Sequence, residues 1–259
     1  MPIAKLNRTI ISLRGEGVED FLAGLITNSL KKDLTFAALL TPQGKIIADF
    51  FVHKTNDAFL IETPEKFGKV LLMRLKMYKL RAKINIEDIS HMQAVYVFWN
   101  GTGDAGLVDP RAGKLGQRLL TNDVLPTQQS PNDYDMHRLS LGVPDSAWDF
   151  DTQHVFPANA NMDMLCGLDL KKGCFIGQEV VSRMHRKTTL RKRMCKVKPS
   201  GPTRANDAIL ADGKKIGVLN HVRNDLGIAT IRLDRLANTV ETPSINDKSV
   251  SIMEPNYDT

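Results

Sequence analysis

Lys172-Gly173-Cys174-Phe175-Ile176-Gly177-Gln178-Glu179 is the stretch on which the reading of this chain turns. With Leu170-Lys171 before it and Val180-Val181-Ser182-Arg183 after it, a thiol, lysines, two glycines, an amide, a carboxylate and a guanidinium share one short segment. A purely structural segment rarely needs that mixture. If the backbone before Gly177 is extended, Lys172 and Cys174 share a face, and an ammonium beside a thiol favours the thiolate. A helix is predicted to begin around Gly177. Its unpaired N–H groups would favour an anion close to Cys174 as well. The competing reading makes Cys174 a small buried filler with inert chemistry. Gly173 and Gly177 either let backbone approach a bound molecule or merely turn the chain into the helix. Glu179 and Arg183 are spaced for an i,i+4 ion pair worth about 0.3–0.5 kcal/mol. The residues alone give a candidate anion-facing site with an activated thiol, and they assign no reaction.

Working outward, the 259 residues are 42% hydrophobic and 25% charged. That is enough chain to build a core without disulfides or metals, as one large domain or a large and a small one. Cys166, Cys174 and Cys195 are odd in number and widely spaced, so no disulfide framework is expected. The six histidines are scattered without ligand spacing, and no metal site is expected. No signal or transit peptide pattern and no apolar run near ~20 residues occurs. The expectation is a soluble cytoplasmic protein with no membrane association. The net charge of +6 is concentrated in Arg183, Arg186, Lys187, Arg191, Lys192, Arg193, Lys196 and Lys198. These form either a solvated face or an anion site. No aromatic platform accompanies them, which weighs against nucleic acid.

The patterning predicts a strand over Ile10–Leu13 and an amphipathic helix over Val18–Leu30, with Thr27-Asn28 in its C-terminal turn. Phe36–Leu40, Lys45–Val52 and Ala58–Ile61 read as an antiparallel meander, the first turn being Thr41-Pro42-Gln43-Gly44. Asp49 lies in an apolar strand and faces either solvent or a cavity. Thr63-Pro64-Glu65 reads as a helix start with Thr63 as N-cap. Strands are predicted at Lys83–Glu87 and Ala94–Trp99, a loop at Gly101-Thr102-Gly103, and a helix over Tyr134–Leu141. Beyond Pro199-Ser200-Gly201-Pro202 the chain becomes short strands with tight turns, including a hairpin at Asp212-Gly213. The fold class is α+β: a large domain of antiparallel sheets and helices over 1–192, and a small β-barrel-like domain over 193–259.

The Lys172–Glu179 segment resembles the K-G-C-[YF]-x-G-Q-E signature of YgfZ-type proteins. These are the iron–sulfur maturation branch of the folate-binding aminomethyltransferase (glycine cleavage T-protein) superfamily. Phe21-Leu22-Ala23-Gly24-Leu25-Ile26-Thr27-Asn28 is similar to the family's F-L-Q-G-L-I-T-N helix. Ala38 to Lys45, Leu80-Arg81-Ala82-Lys83 and Gly142-Val143-Pro144 also fit, and the likeness covers nearly the whole chain. It implies a tetrahydrofolate-type ligand in a central cavity of the large domain. It also implies a role in assembling or repairing clusters, mainly [4Fe–4S], with iron–sulfur assembly proteins and client enzymes as partners. Cys174 and Lys172 carry over as the working pair. Asn28, Asp49, Gly173, Gly177, Gln178, Glu179 and Arg183 become candidates for holding the ligand. Two positions depart from the aminomethyltransferase pattern. Ala48-Asp49 stands where those enzymes have an Asp-Asp pair, and Ser140 where they have a pterin-binding Glu. The alternative, a folate-dependent one-carbon transferase or demethylase, would need the full acidic pair.

Overall fold

In a computed structural model, residues 1–101, 106–187 and 190–257 are described, the side chain of Lys187 excepted. Thr102, Gly103 and the Lys187 side chain therefore lie outside the described residues. Strands β1 (Ile3–Leu6) and β2 (Arg8–Gly15) lead into helix α1 (Val18–Ala23). Strands β3 (Leu34–Leu40), β4 (Ile46–Lys54) and β5 (Phe59–Pro64) precede α2 (Glu65–Lys79). Then come β6 (Ile84–Asp88), β7 (Ala94–Phe98), β8 (Leu107–Val108), β9 (Gln117–Thr121) and α3 (Pro131–Leu141). A long stretch without helix or strand leads to α4 (Gln178–Lys187). The chain ends in β10 (Lys192–Pro199), β11 (Ala208–Ala211), β12 (Lys214–Arg223), β13 (Leu226–Arg232), the short α5 (Leu233–Leu236), β14 (Ser244–Ile245) and β15 (Lys248–Met253).

The expected meander is present: β3, β4 and β5 are antiparallel neighbours in a five-stranded sheet of order β3-β4-β5-β2-β6. Every residue of β3 is buried, because this sheet is covered on both faces. Alternation sends Ala37 and Leu39, with Phe50 and Val52 of β4, into a core with Leu22 of α1 and Phe67, Leu71 and Leu75 of α2. Leu34, Phe36, Ala38 and Leu40 enter a second core with Phe150, Met162, Phe175, Val181 and the barrel residues Met194 and Ile228. A four-stranded sheet, β1-β7-β9-β8, completes the large domain.

The last six strands close into a barrel of order β10-β13-β12-β11-β14-β15. Asp212 (φ 50) and Gly213 (φ 67) form the two-residue hairpin turn the sequence signalled, with Ala211 paired to Lys214. The barrel is fastened to α3. Asp135 accepts from His221 Nε2 at 2.8 Å and from Arg223 Nε at 2.7 Å, while Trp148 stacks on His221.

Two expected boundaries are corrected. The helix starting at Val18 stops at Ala23, well short of Leu30. Its continuation is held by tertiary bonds instead: the Thr27 hydroxyl donates to Gly167 O and accepts from Ala38 N, and Ile26 bridges Leu39. Thr63 is not an N-cap either. It pairs with Thr9 in the sheet and its hydroxyl donates to Asp49 O, so Pro64 takes the position before the first helical residue.

Candidate functional site

The loop of Lys172 to Gly177 is built by anchoring its apolar residues and leaving its thiol outside. Phe175 is buried in the second core, and Ile176 packs against the first. These two side chains fix the loop across the edge of the sheet, while Cys174 just before them is exposed. A Cβ on Gly173 would meet nothing within 4 Å, so the other side of the thiol is open. Gly177 has a different task. Its φ of +80 admits glycine readily, and a Cβ there would lie 2.7 Å from Thr41 O and 3.0 Å from Gly44 Cα. Gly44, at φ +77, faces Val180 in turn. The Thr41–Gly44 turn and the start of α4 thus touch backbone to backbone, which explains both glycines without a bound molecule.

Lys172 is not turned to the thiol. Its Nζ donates to Ala23 O at 2.6 Å and Ile26 O at 2.7 Å, and lies 5.0 Å from the centre of the Phe175 ring. It closes the carbonyl end of α1, where a cation is favoured. Burial pushes its pKa down to about 8, with Asp169 acting in the opposite direction. Asp169 Oδ1 also accepts from the Lys171 and Lys172 backbone N–H groups, shaping the approach to the loop. Gln178 Nε2 reaches Lys172 O at 3.5 Å. Glu179 and Arg183 form the expected pair at 3.1 Å on the exposed side of α4, where such a pair contributes little.

Asn28 stands on a different wall. Its Nδ2 donates to Phe36 O at 2.9 Å and Cys166 O at 2.7 Å, so it is more than the turn residue expected. It lines a groove of about 510 Å³ together with Cys166, Lys31, Lys32, Lys171 and His185. Three of the eight cations of the expected basic cluster are committed elsewhere. Arg193 makes a bidentate pair with Asp163 at 2.9 and 2.7 Å, Lys196 donates to Ser140 O, and Lys198 pairs with Asp225.

Asp49 points inward, into an ionic network that the sequence reading did not find. Arg118 bonds Glu62 and, at 3.2 Å, Asp109. Arg111 bonds Asp109 at 2.9 Å and Asp145 at 3.1 Å, and Arg8 reaches Asp145 at 3.3 Å. All these side chains are buried. Arg118 stacks over Phe51, 4.0 Å from its ring centre. Burial disfavours the charged form of Glu62, yet Arg118, the His53 bond and Arg8 hold its carboxyl well below the usual range. Asp145 is likewise held low, by Arg8, Arg111 and Arg138 against burial. Asp49 goes the other way: burial and the neighbouring Asp145 push it up to about 6, although Ser146 donates to its Oδ1. Ser140, at the place of the aminomethyltransferase Glu, is exposed and donates to His137 O. One signal in the sequence could have led to the network: Glu62, like Asp49, is a charge inside an apolar strand. Among the described residues, no group of three or more His, Cys, Asp or Glu side chains is placed to hold a metal ion.

The chain is similar to several known proteins. Residues 191–257 match the model of the CAF17 C-terminal beta-barrel domain. The human mitochondrial iron–sulfur cluster assembly factor IBA57 is 26% identical over 272 residues, covering 88% of this chain and 76% of that protein. The IBA57 homologue of Coccidioides immitis is 31% identical over 234 residues, covering 74% and 55%. That of Mycosarcoma maydis is 26% identical, covering 73% and 54%. The chain thus spans about half the length of these fungal relatives. Glycine cleavage system aminomethyltransferase T of Bartonella henselae superposes with a TM-score of 0.76 over 98% of this chain and 85% of that one, at 14% identity. The relatives bear the assembly-factor name where the signature had suggested the YgfZ one. The cytoplasmic expectation is corrected too: these relatives are named as mitochondrial, and a missing targeting pattern was too weak a basis for a compartment. The chain has the fold of the glycine cleavage aminomethyltransferase with a six-stranded C-terminal barrel, and its homologues are named iron–sulfur cluster assembly factors.

Proposed function

We propose that this chain acts in iron–sulfur cluster assembly or repair, with Cys174 as the thiol that meets an iron or sulfur species on its way to a [4Fe–4S] client enzyme. One observation carries the proposal: Cys174 is exposed at the head of a loop whose next two residues are anchored in two different cores. Such a thiol is held at a fixed place while remaining open to a partner. The names of the relatives give the chemical direction. A cluster takes about four protein ligands, so Cys174 would share one with an assembly protein rather than hold it alone.

A tetrahydrofolate-type ligand fits less well. A pterin needs a carboxylate facing its N–H groups. Asp49 is buried and bonded to Ser146, and Asp163 is taken by Arg193. Asp169 accepts backbone N–H groups. No step of the proposed function runs through a folate, and the same commitments of Asp49 weigh against one-carbon transfer. The test is client activity in cells lacking the native protein and supplied with Cys174→Ala or, as a control, Cys166→Ala. Loss of [4Fe–4S] client activity is expected with the first and not with the second. Full client activity with Cys174→Ala would overturn the role of the thiol.

A further inference from the structure

Helix α2 has two apolar sides, and the fold uses only one. Phe67, Leu71 and Leu75 are buried against the five-stranded sheet. Met73 and Met77 project from the opposite side, 60% and 50% exposed, and Leu80 follows at the helix end, 86% exposed. Residues three and four apart are neighbours on a helix surface. Single exposed apolar side chains are ordinary, but three large ones on successive turns form a patch. Leu80 is also held at φ 47, a region that costs an L side chain strain, while its side chain gains no burial.

Cations surround the patch. Lys69 lies one turn before Met73 and Lys76 one turn after it, and Arg81 and Lys83 follow the helix end, all four exposed. None of the four has an acidic partner among the described residues. Glu65 is the one acidic residue of the stretch 65–83, which contains seven Lys or Arg.

We propose that this face of α2 docks an acidic amphipathic helix of a protein partner. The partner's apolar side would cover Met73, Met77 and Leu80, and its carboxylates would meet Lys69, Lys76 and Arg81. Complementary charge selects this occupant: a second copy of the chain would bring the same lysines against each other. An anionic membrane would satisfy the charge, but surface-inserting helices present Trp, Phe or Leu, and of these the patch has Leu80 alone, beyond the helix end. Here the exposed side chains are mainly methionine, whose flexible thioether suits adaptable protein contacts. The surface involves no residue of the Cys174 loop, so it stands or falls separately from the proposed function.

The probe is a fluorescent peptide of about 18 residues, helix-forming, with leucines along one face and glutamates flanking them. Its scrambled counterpart has the same charge and no apolar face. Fluorescence anisotropy with the full chain should show binding of the first and not the second, weakened by salt. Met73→Ser/Met77→Ser and, separately, Lys69→Glu/Lys76→Glu should each weaken binding by about tenfold or more with an unchanged circular dichroism spectrum. The proposal is overturned if the scrambled peptide binds equally well, or if either double variant binds as the native chain does. Capture of phosphatidylglycerol vesicles with no binding of the peptide would overturn it in favour of a membrane surface.

Discussion

Replacing Gly177 by alanine should unlatch α4 from the Thr41–Gly44 turn. The added methyl would lie 2.7 Å from Thr41 O and 3.0 Å from Gly44 Cα, and both are backbone atoms that cannot rotate away. The φ of +80 costs an L residue about 1–2 kcal/mol. Forcing the two backbones apart adds about 1–3 kcal/mol, the usual range for overpacking. The expected loss is therefore roughly 2–5 kcal/mol. Gly173, on the other side of Cys174, is the internal control. A Cβ there meets nothing within 4 Å, and Gly173→Ala should stay within about 0.5 kcal/mol of the native chain. Urea denaturation followed by circular dichroism measures both. If the two alanine variants lose equal stability, the close backbone contact is not what Gly177 is for.

The remaining expectations follow from the buried charges and the thiols. Glu62→Gln leaves Arg118 and Arg8 facing an uncharged amide in a buried site, and should cost about 3–5 kcal/mol in a urea melt; a loss below ~1 kcal/mol would mean that the network relaxes around the change. Asp49, raised to about 6 from its ordinary 3.8, holds a proton in the folded chain that the unfolded chain has released between those values. Its contribution to stability therefore falls as pH rises through that window, by roughly 3 kcal/mol in all. Asp49→Asn should remove the fall, seen by comparing urea midpoints at about pH 4 and about pH 7; an unchanged pH slope in the variant would refute the assignment. In native-state alkylation Cys166 and Cys174 should react, while Cys195, pushed up to about 12 mainly by burial, should stay unlabelled until the chain unfolds. Lys172→Met should lower stability through two lost bonds to carbonyls, read as a lower urea midpoint; an unchanged midpoint would refute the lysine's role in tying the loop to α1.

The parts of the fold legible in the sequence are those specified within a few residues. Short apolar runs bounded by turn residues placed β3, β4 and β5, and Asp212-Gly213 placed a barrel hairpin, because strand runs and turn chemistry act locally. The boundary errors have the opposite character. Val18–Leu30 keeps a helical apolar spacing past Ala23, but Thr27, Gly167 and Ala38 supply competing bonds from parts of the chain up to 140 positions away. The ionic network is less accessible still. Arg8 and Asp145 meet across 137 positions, and no local pattern announces that an arginine and an aspartate will neutralise each other in the interior. The visible trace is a charge inside an apolar strand, at Asp49 and Glu62.

The candidate site divides along the same line. Phe175 and Ile176 were legible as apolar residues, and Gly177 as a helix boundary. What they do depends on the two cores they enter and on the turn they touch, both built from distant strands. Lys172 shows the consequence for chemistry. Spacing of two in an extended segment puts its side chain on the same face as Cys174, and from that alone the ammonium would serve the thiol. In the fold, the short helix α1 ends nearby with carbonyls to satisfy, and the ammonium goes to them at 2.6 and 2.7 Å. An ammonium so engaged serves the thiol by fixing the loop that carries it: Lys172 ties the loop to α1 on one side of Cys174, while Phe175 and Ile176 tie it to the sheet on the other. A thiol with a fixed position and an open approach can be met by a partner's ligands in one geometry, which is what sharing a cluster across two proteins requires.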